Sequence, residues 1–157
     1  MKQLDFDTLI KCVKWDKQMH YVGEMNKVIM SGSPDDFLLI PDADYYEAMQ
    51  SLEARRLEEE RLLGTARRNN EGTELEKSGR IDDAIAVYEE NIKVGYPASH
   101  SYERLMILYR KRKEYDQEIR VILRAIEVFA SAGTTDLLFK YNDRLEKATE
   151  LLNRQKQ

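Results

Sequence analysis

The stretch GRIDDAIAVYEENI, residues 79–92, can be laid without a gap over KEYDQEIRVILRAI, which begins thirty-four positions later at Lys113. Ile81 falls on Tyr115, Ile85 on Ile119 and Val87 on Val121. This self-similarity constrains the fold more than any other feature of the chain. Each copy reads as a helix, a short turn and a second helix, and one such unit cannot bury its own apolar faces. Copies must therefore stack on one another and be closed at both ends.

The residues available suit that solution. Of 157 residues, 42% are hydrophobic and 34% charged, so a core exists but must be thin or elongated. Only 7 Gly and 3 Pro are present, too few for a turn-dense β fold. Long stretches of Glu, Lys, Arg, Leu and Ala predict an all-α protein. The net charge of −4 makes no global case for nucleic acid or an anionic membrane. A single cysteine, Cys12, excludes an internal disulfide and fits a reducing cytoplasm. The start, MKQLDFDTLIKC, has acids where a signal peptide needs an apolar run, and runs such as FLLI fall far short of the ~20 residues that cross a bilayer. A cytoplasmic protein without a membrane segment is the expectation.

Residues 1–64 read as an N-terminal helical region and a connecting helix. Phe6, Leu9, Ile10 and Val13 recur at helical spacing, and Val22, Met25, Val28 and Ile29 do so again. Ser33 reads as an N-cap with Pro34 in the first helical position, opening a short piece that ends before Pro41. Asp44 is placed as the cap of a helix with a buried stripe of Tyr45, Met49 and Leu52. EARRLEEER beyond it is charged all round, with Arg55 facing Glu59 and Arg56 facing Glu60. Gly64 either kinks this helix or separates it from the next.

Residues 65–157 carry two repeats, about 65–98 and 99–132, and a capping helix. Ile81, Ala84, Ile85, Tyr88 and Ile92 form the buried stripe after the Ser78–Gly79 turn. Gly95 and Pro97 end that helix, and Ser99 is placed as the next cap. Tyr102, Leu105, Met106 and Tyr109, widened by Ile107 and Leu108, line the following helix. Its partner presents Tyr115, Ile119, Ile122, Leu123, Ile126 and Phe129. In the last helix, from about Thr134, Leu138, Tyr141, Leu145, Ala148 and Leu152 face the core, while Lys140, Arg144, Lys147 and Glu150 face water.

The period and these positions resemble the tetratricopeptide repeat family. The family's small residue midway along the first helix matches Gly72, and its large residue three places on matches Leu75 and Tyr109. Its turn glycine matches Gly79, the following apolar residue Ile81 and Tyr115, its early alanine Ala84, its aromatic Tyr88 and its late alanine Ala125. Met106 and Glu118 depart from the small residues at two of these places, Asn91 replaces the late alanine of the first unit, and Tyr96–Pro97 closes it one place late. A glutamate at a close helix contact is costly unless it is paired or tilted to water. The resemblance covers residues 65–136. It implies a right-handed superhelix of stacked helix–turn–helix repeats, with the N-terminal region and the C-terminal helix closing the ends.

It also implies a concave face, lined by the first helix of each pair, that binds a peptide or a partner helix. On that face fall Asn69, Asn70, Thr73 and Lys77, then Glu103, Arg104, Ile107, Arg110 and Lys111. Amides there can bond an extended backbone, and the basic groups can hold carboxylates. The Lys and Asn pattern with which some family members grip a C-terminal carboxylate is broken, with Asn69 where the first lysine would stand. These residues are equally well read as solvated helix faces.

Residues 104–124 hold seven basic side chains (Arg104, Arg110, Lys111, Arg112, Lys113, Arg120, Arg124) against three acidic ones. Such a stripe suits phosphates, although cations at a helix C-terminus also complement its dipole. Trp15, His20 and Tyr21 suit a self-association patch, but packing against the first helix pair is the expectation. His20 and His100 lack partners at metal-ligand spacing, so no metal is expected. Phosphate loops, dinucleotide fingerprints, H-E-x-x-H and G-x-S-x-G are all missing from the sequence, and Cys12 reads as a small buried residue. The expected function is a non-catalytic scaffold without cofactors, binding a protein or peptide or further copies of itself. The alternative is a nucleic-acid-associated regulator using the basic stripe at 104–124.

Overall fold

The structure, a computed structural model, describes residues 1–32 and 36–157. It is mostly helical and divides into two compact units, Met1–Glu60 and Arg61–Gln157. The expected cap at Ser33 and the helix start at Pro34 lie outside the described residues.

The first unit contains β1 (Lys2–Asp5), α1 (Phe6–Cys12), α2 (Trp15–Met30), β2 (Phe37–Ile40) and the start of α3 (Asp42–Lys77). The two short strands are an addition to the otherwise all-α chain that the sequence predicts. They form an antiparallel ribbon in which Lys2 pairs with Ile40 and Leu4 with Leu38. Period-two alternation decides the matter locally: Leu38 and Ile40 point inward, and Phe37 and Leu39 point outward. A four-residue apolar run fits a short helix or a strand equally well, and the pairing with Lys2–Asp5 selects the strand. Asp5 caps α1 by accepting a 2.8 Å bond from the Thr8 amide. Leu4, Leu9, Cys12, Val13, Tyr21, Met25, Leu38, Ile40 and Ala48 make the core.

Three expectations fail in this unit. Asp44 lies within the first turn of α3 rather than at its cap. Its carboxylate is instead 2.5 Å from Lys17 Nζ and accepts the Tyr21 hydroxyl, and Lys17 also bonds Glu47 at 3.0 Å. These bonds fasten α2 to α3. Burial, followed by the bond to Asp44, pushes the Tyr21 phenol up to about 12. Met49 and Leu52 stay exposed while Ala48 is fully buried, because a small residue lets α3 approach the core. Trp15 is 78% exposed and does not pack inward.

α3 continues without interruption through Gly64. Its Arg56 pairs with Glu53, one turn N-terminal, rather than with Glu60. The second unit adds α4 (Ile81–Val94), α5 (Ser99–Lys111), α6 (Tyr115–Ser131) and α7 (Leu138–Gln155) to the end of α3.

Three turns in this unit share one chemistry. Arg80 N–H bonds Leu75 O, Glu114 N–H bonds Tyr109 O and Thr134 N–H bonds Phe129 O, each at 2.9–3.0 Å and each closing a helix with a left-handed residue. That residue is Gly79 (φ 78°) and Gly133 (φ 71°) in two of them. In the middle turn it is Lys113 (φ 59°), thirty-four positions after Gly79. α5 begins at Ser99, with Ala98 in the cap position, so Ser99 does not cap it.

A continuous core joins these helices. Tyr88, Tyr102, Leu105, Met106, Ile122, Phe129 and Tyr141 are at most 2% exposed. The Tyr102 and Phe129 rings meet edge-on at 5.7 Å, and Phe129 meets Tyr141 at 5.7 Å, so one aromatic chain runs from α5 through α6 to α7. Leu123 departs from expectation at 51% exposed, and Val121, Ala125 and Val128 fill the inner face of α6 instead.

Candidate partner-binding face of the second unit

Two buried polar groups organise this unit, and both stand where an alanine would be easier to bury. Asn91 is 2% exposed. Its amide nitrogen lies 2.9 Å from Asn69 Oδ1, 2.9 Å from Ser101 Oγ and 3.1 Å from Thr65 O, and its oxygen accepts Arg68 Nε at 2.5 Å. Ser101 donates to Asn69 Oδ1 at 2.6 Å. α3, α4 and α5 are thus joined by a closed polar cluster. Asn69, placed on the binding face by sequence reasoning, is spent on this cluster.

Glu118 is fully buried thirty-four positions after Ala84. Arg110 Nε bonds one carboxylate oxygen at 2.9 Å and Arg144 Nε the other at 2.8 Å. The charge is therefore paired on both sides, as a buried carboxylate requires. Arg144 does not face water, contrary to its expected position, and Arg110 is drawn in from the face. Arg110 Nη2 is buried without a partner among the described residues.

The remaining face residues take three kinds of environment. Asn70, Lys77 and Lys111 are exposed, and Ile107 is half-buried. Glu103 accepts a 2.7 Å bond from Lys140 of α7. Arg104 forks onto Glu76, with Nε 2.9 Å from Oε1 and Nη2 close to Oε2. Arg104 holds the Glu76 carboxyl below the usual carboxylate range.

Thr73, Lys77 and Arg104 come together with Glu76 and His100 around one open pocket of about 370 Å³. The Thr73 hydroxyl donates to Asn69 O at 2.8 Å and lies 3.3 Å from His100 Nε2. His100 also stands edge-on to Tyr88 at 5.7 Å. Sequence reasoning considered His100 only as a metal ligand and passed over Glu76. Both were findable: Glu76 lies one turn beyond Thr73 on α3, and His100 one turn before Arg104 on α5. The pocket therefore brings together the Lys77 ammonium, which Glu74 meets at 2.7 Å on the exposed side, the Arg104 guanidinium bound to Glu76, an imidazole and a hydroxyl. Asn70, Ile107 and Lys111 do not line it.

The basic stripe is largely neutralised within the fold. Arg104 meets Glu76, Arg110 meets Glu118, Arg112 meets Asp82, Arg120 meets Glu89 and Arg124 meets Glu127. Among the described residues, no helix is long and apolar enough to cross a membrane. Compared with known proteins, the chain matches no family model, no curated protein and no solved structure.

Proposed function

We propose that this protein is a non-catalytic cytoplasmic scaffold whose second unit, built as tetratricopeptide-like helix pairs in a right-handed superhelix, holds an acidic peptide segment of a partner protein. The observation that carries the reading is the pocket formed by Thr73, Lys77, His100 and Arg104. It lies between the first helices of two successive pairs, where a concave peptide-binding face would run. Carboxylates suit the exposed Lys77 and His100, because the solvent-exposed Lys77–Glu74 pair exchanges at little cost, and the exposed Asn70 beside them can bond an extended backbone. The reading calls for no cofactor or metal.

The nucleic-acid alternative draws less support, because the arginines of the 104–124 stripe outside this pocket, Arg110, Arg112, Arg120 and Arg124, are engaged by carboxylates of the same chain. Phosphate binding needs cations able to release counterions.

A displayed random-peptide library tests the proposal. Wild type is expected to enrich acidic peptides, and Lys77→Glu/His100→Glu is expected to weaken their binding by about tenfold or more. Both side chains are exposed, so the fold is retained. Failure to enrich any peptide, or enrichment that the double variant leaves unchanged, would remove the assignment.

A further inference from the structure

The outer face of α2 carries an apolar stripe that stands exposed among the described residues. Trp15, Met19, Val22, Asn26, Ile29 and Met30 recur at the three- and four-residue spacing of a helix seam. Trp15 is 78% exposed, Met19 69%, Ile29 59% and Met30 88%, whereas Tyr21 and Met25 on the opposite side belong to the core. Scattered exposed apolar residues are ordinary, but a row of four large ones along a single 16-residue helix is not.

We propose that this stripe is a homodimer seam, in which α2 of one copy packs antiparallel on α2 of a second copy with the dyad between Val22 and Gly23. Most of the stripe matches its own reverse. Reversal about that point sets Trp15 against the partner's Met30, Met19 against the partner's Asn26 and Val22 against the partner's Gly23, and it leaves Ile29 level with the partner's Asp16 at the rim. Bulk thus lies at the two ends and the small residues at the crossing. Gly23 fits this arrangement: glycine weakens a helix interior, and among the described residues no atom beyond its own stretch of helix backbone lies within 4 Å of where its Cβ would be. Internal packing therefore does not account for it, but a close helix crossing does.

Charge supports the orientation. Asp16 and Lys27 lie on the same flank of the stripe, and in an antiparallel pair like flanks face each other. Asp16 then stands about 3 Å along the axis from the partner's Lys27, within a lysine's reach. Lys27 is held in the single chain by Glu24 at 2.6 Å, an exposed pair that exchanges at little cost. The stripe covers on the order of 500 Å² per copy, at the lower limit for a specific interface, so the dimer is weak and concentration-dependent. Asn26 adds a polar group inside the seam, which fixes register at some expense of affinity. The seam belongs to the first unit and is independent of the peptide-binding proposal.

The test uses the full chain and its only tryptophan. Mass by sedimentation should rise from 18.5 kDa toward twice that value with concentration, with Trp15 emission shifting to the blue as the ring is covered. Met19→Glu/Ile29→Glu should remain monomeric with unchanged helical content. Val22→Cys should form a disulfide-linked dimer. Trp15→Cys should not, since antiparallel pairing sets the two copies of residue 15 roughly 22 Å apart along the axis. Native Cys12 is buried and does not compete. Asp16→Lys should weaken the dimer several-fold, and adding Lys27→Asp should restore it. A single-chain mass at every concentration, a dimer that survives Met19→Glu/Ile29→Glu, equal cross-linking through Trp15→Cys, or no restoration by the double charge swap would each overturn the proposal.

Discussion

A Cβ added to Gly72 would stand 2.3 Å from the ring of Tyr88. The ring is fully buried and cannot swing away. Gly72→Ala should therefore destabilise the protein by about 1–2 kcal/mol, because overpacking of about 1–3 kcal/mol outweighs the helix propensity that alanine gains. Adding Tyr88→Ile should recover part of the loss. The equivalent places thirty-four residues on hold the converse sizes, Met106 and Ile122, both fully buried. Urea unfolding of the single and double variants measures the coupling.

Lys113 holds the left-handed position that Gly79 and Gly133 hold in the sister turns. A side chain there costs about 1 kcal/mol. Lys113→Gly should raise stability by roughly that amount, since the Glu114 and Lys113 amide bonds that close the turn are unaffected. A shift of the thermal midpoint upward is the readout.

Glu118 is the charge on which the α5–α6–α7 contact turns. Glu118→Ala leaves Arg110 and Arg144 without their shared partner and should cost about 3 kcal/mol. Replacing all three residues, Glu118→Ala with Arg110→Met and Arg144→Met, should bring stability back to within about 1 kcal/mol of wild type, because no charge then remains to be paired. Denaturant midpoints of the two variants distinguish a needed ion cluster from a replaceable one.

Tyr141 is fully buried, and among the described residues its hydroxyl has no hydrogen-bond partner. Tyr141→Phe should leave the aromatic chain intact and raise stability by about 1 kcal/mol, the desolvation loss of an unbonded hydroxyl being removed. A decrease measured by calorimetry would show that the hydroxyl is bonded.

Acid should weaken the fold through identified carboxylates. Arg104 holds Glu76 below its ordinary value of 4.5, and Lys17 holds Asp44 below 3.8. A carboxyl with a depressed folded value contributes fully above its unfolded value and loses that contribution as pH falls through the folded one. Stability should therefore decline below about pH 4.5. Glu76→Gln should be less stable than wild type near neutrality and converge with it in acid, as chemical denaturation across that range would record.

What the sequence disclosed followed from how local the cause was. The turn at Gly79 and the stripe of Ala84, Tyr88 and Ile92 rest on spacing within one helix, and they were legible. The β ribbon was not, because FLLI acquires strand character only from Lys2–Asp5, more than thirty residues away. Arg144 was assigned to water because its partner, Glu118, lies twenty-six residues earlier on another helix. The same limit governs the candidate face. Helical phase placed Thr73, Lys77 and Arg104 on one face, where they line a common pocket, but Asn69 is turned inward by Asn91, a distant residue read only as a missing alanine.

The cluster around Asn91 has a consequence for the order of the helix pairs. It takes Thr65, Asn69 and Arg68 from the helix before and Ser101 from the helix after, so its bonds are satisfied only in that succession. The second pair offers Ala125 at the matching position and cannot replace it. Copies of either pair spliced in as spare modules would leave an amide stranded or a seam mismatched. This chain is a fixed sentence of unlike words, and it cannot be lengthened by repeating one of them.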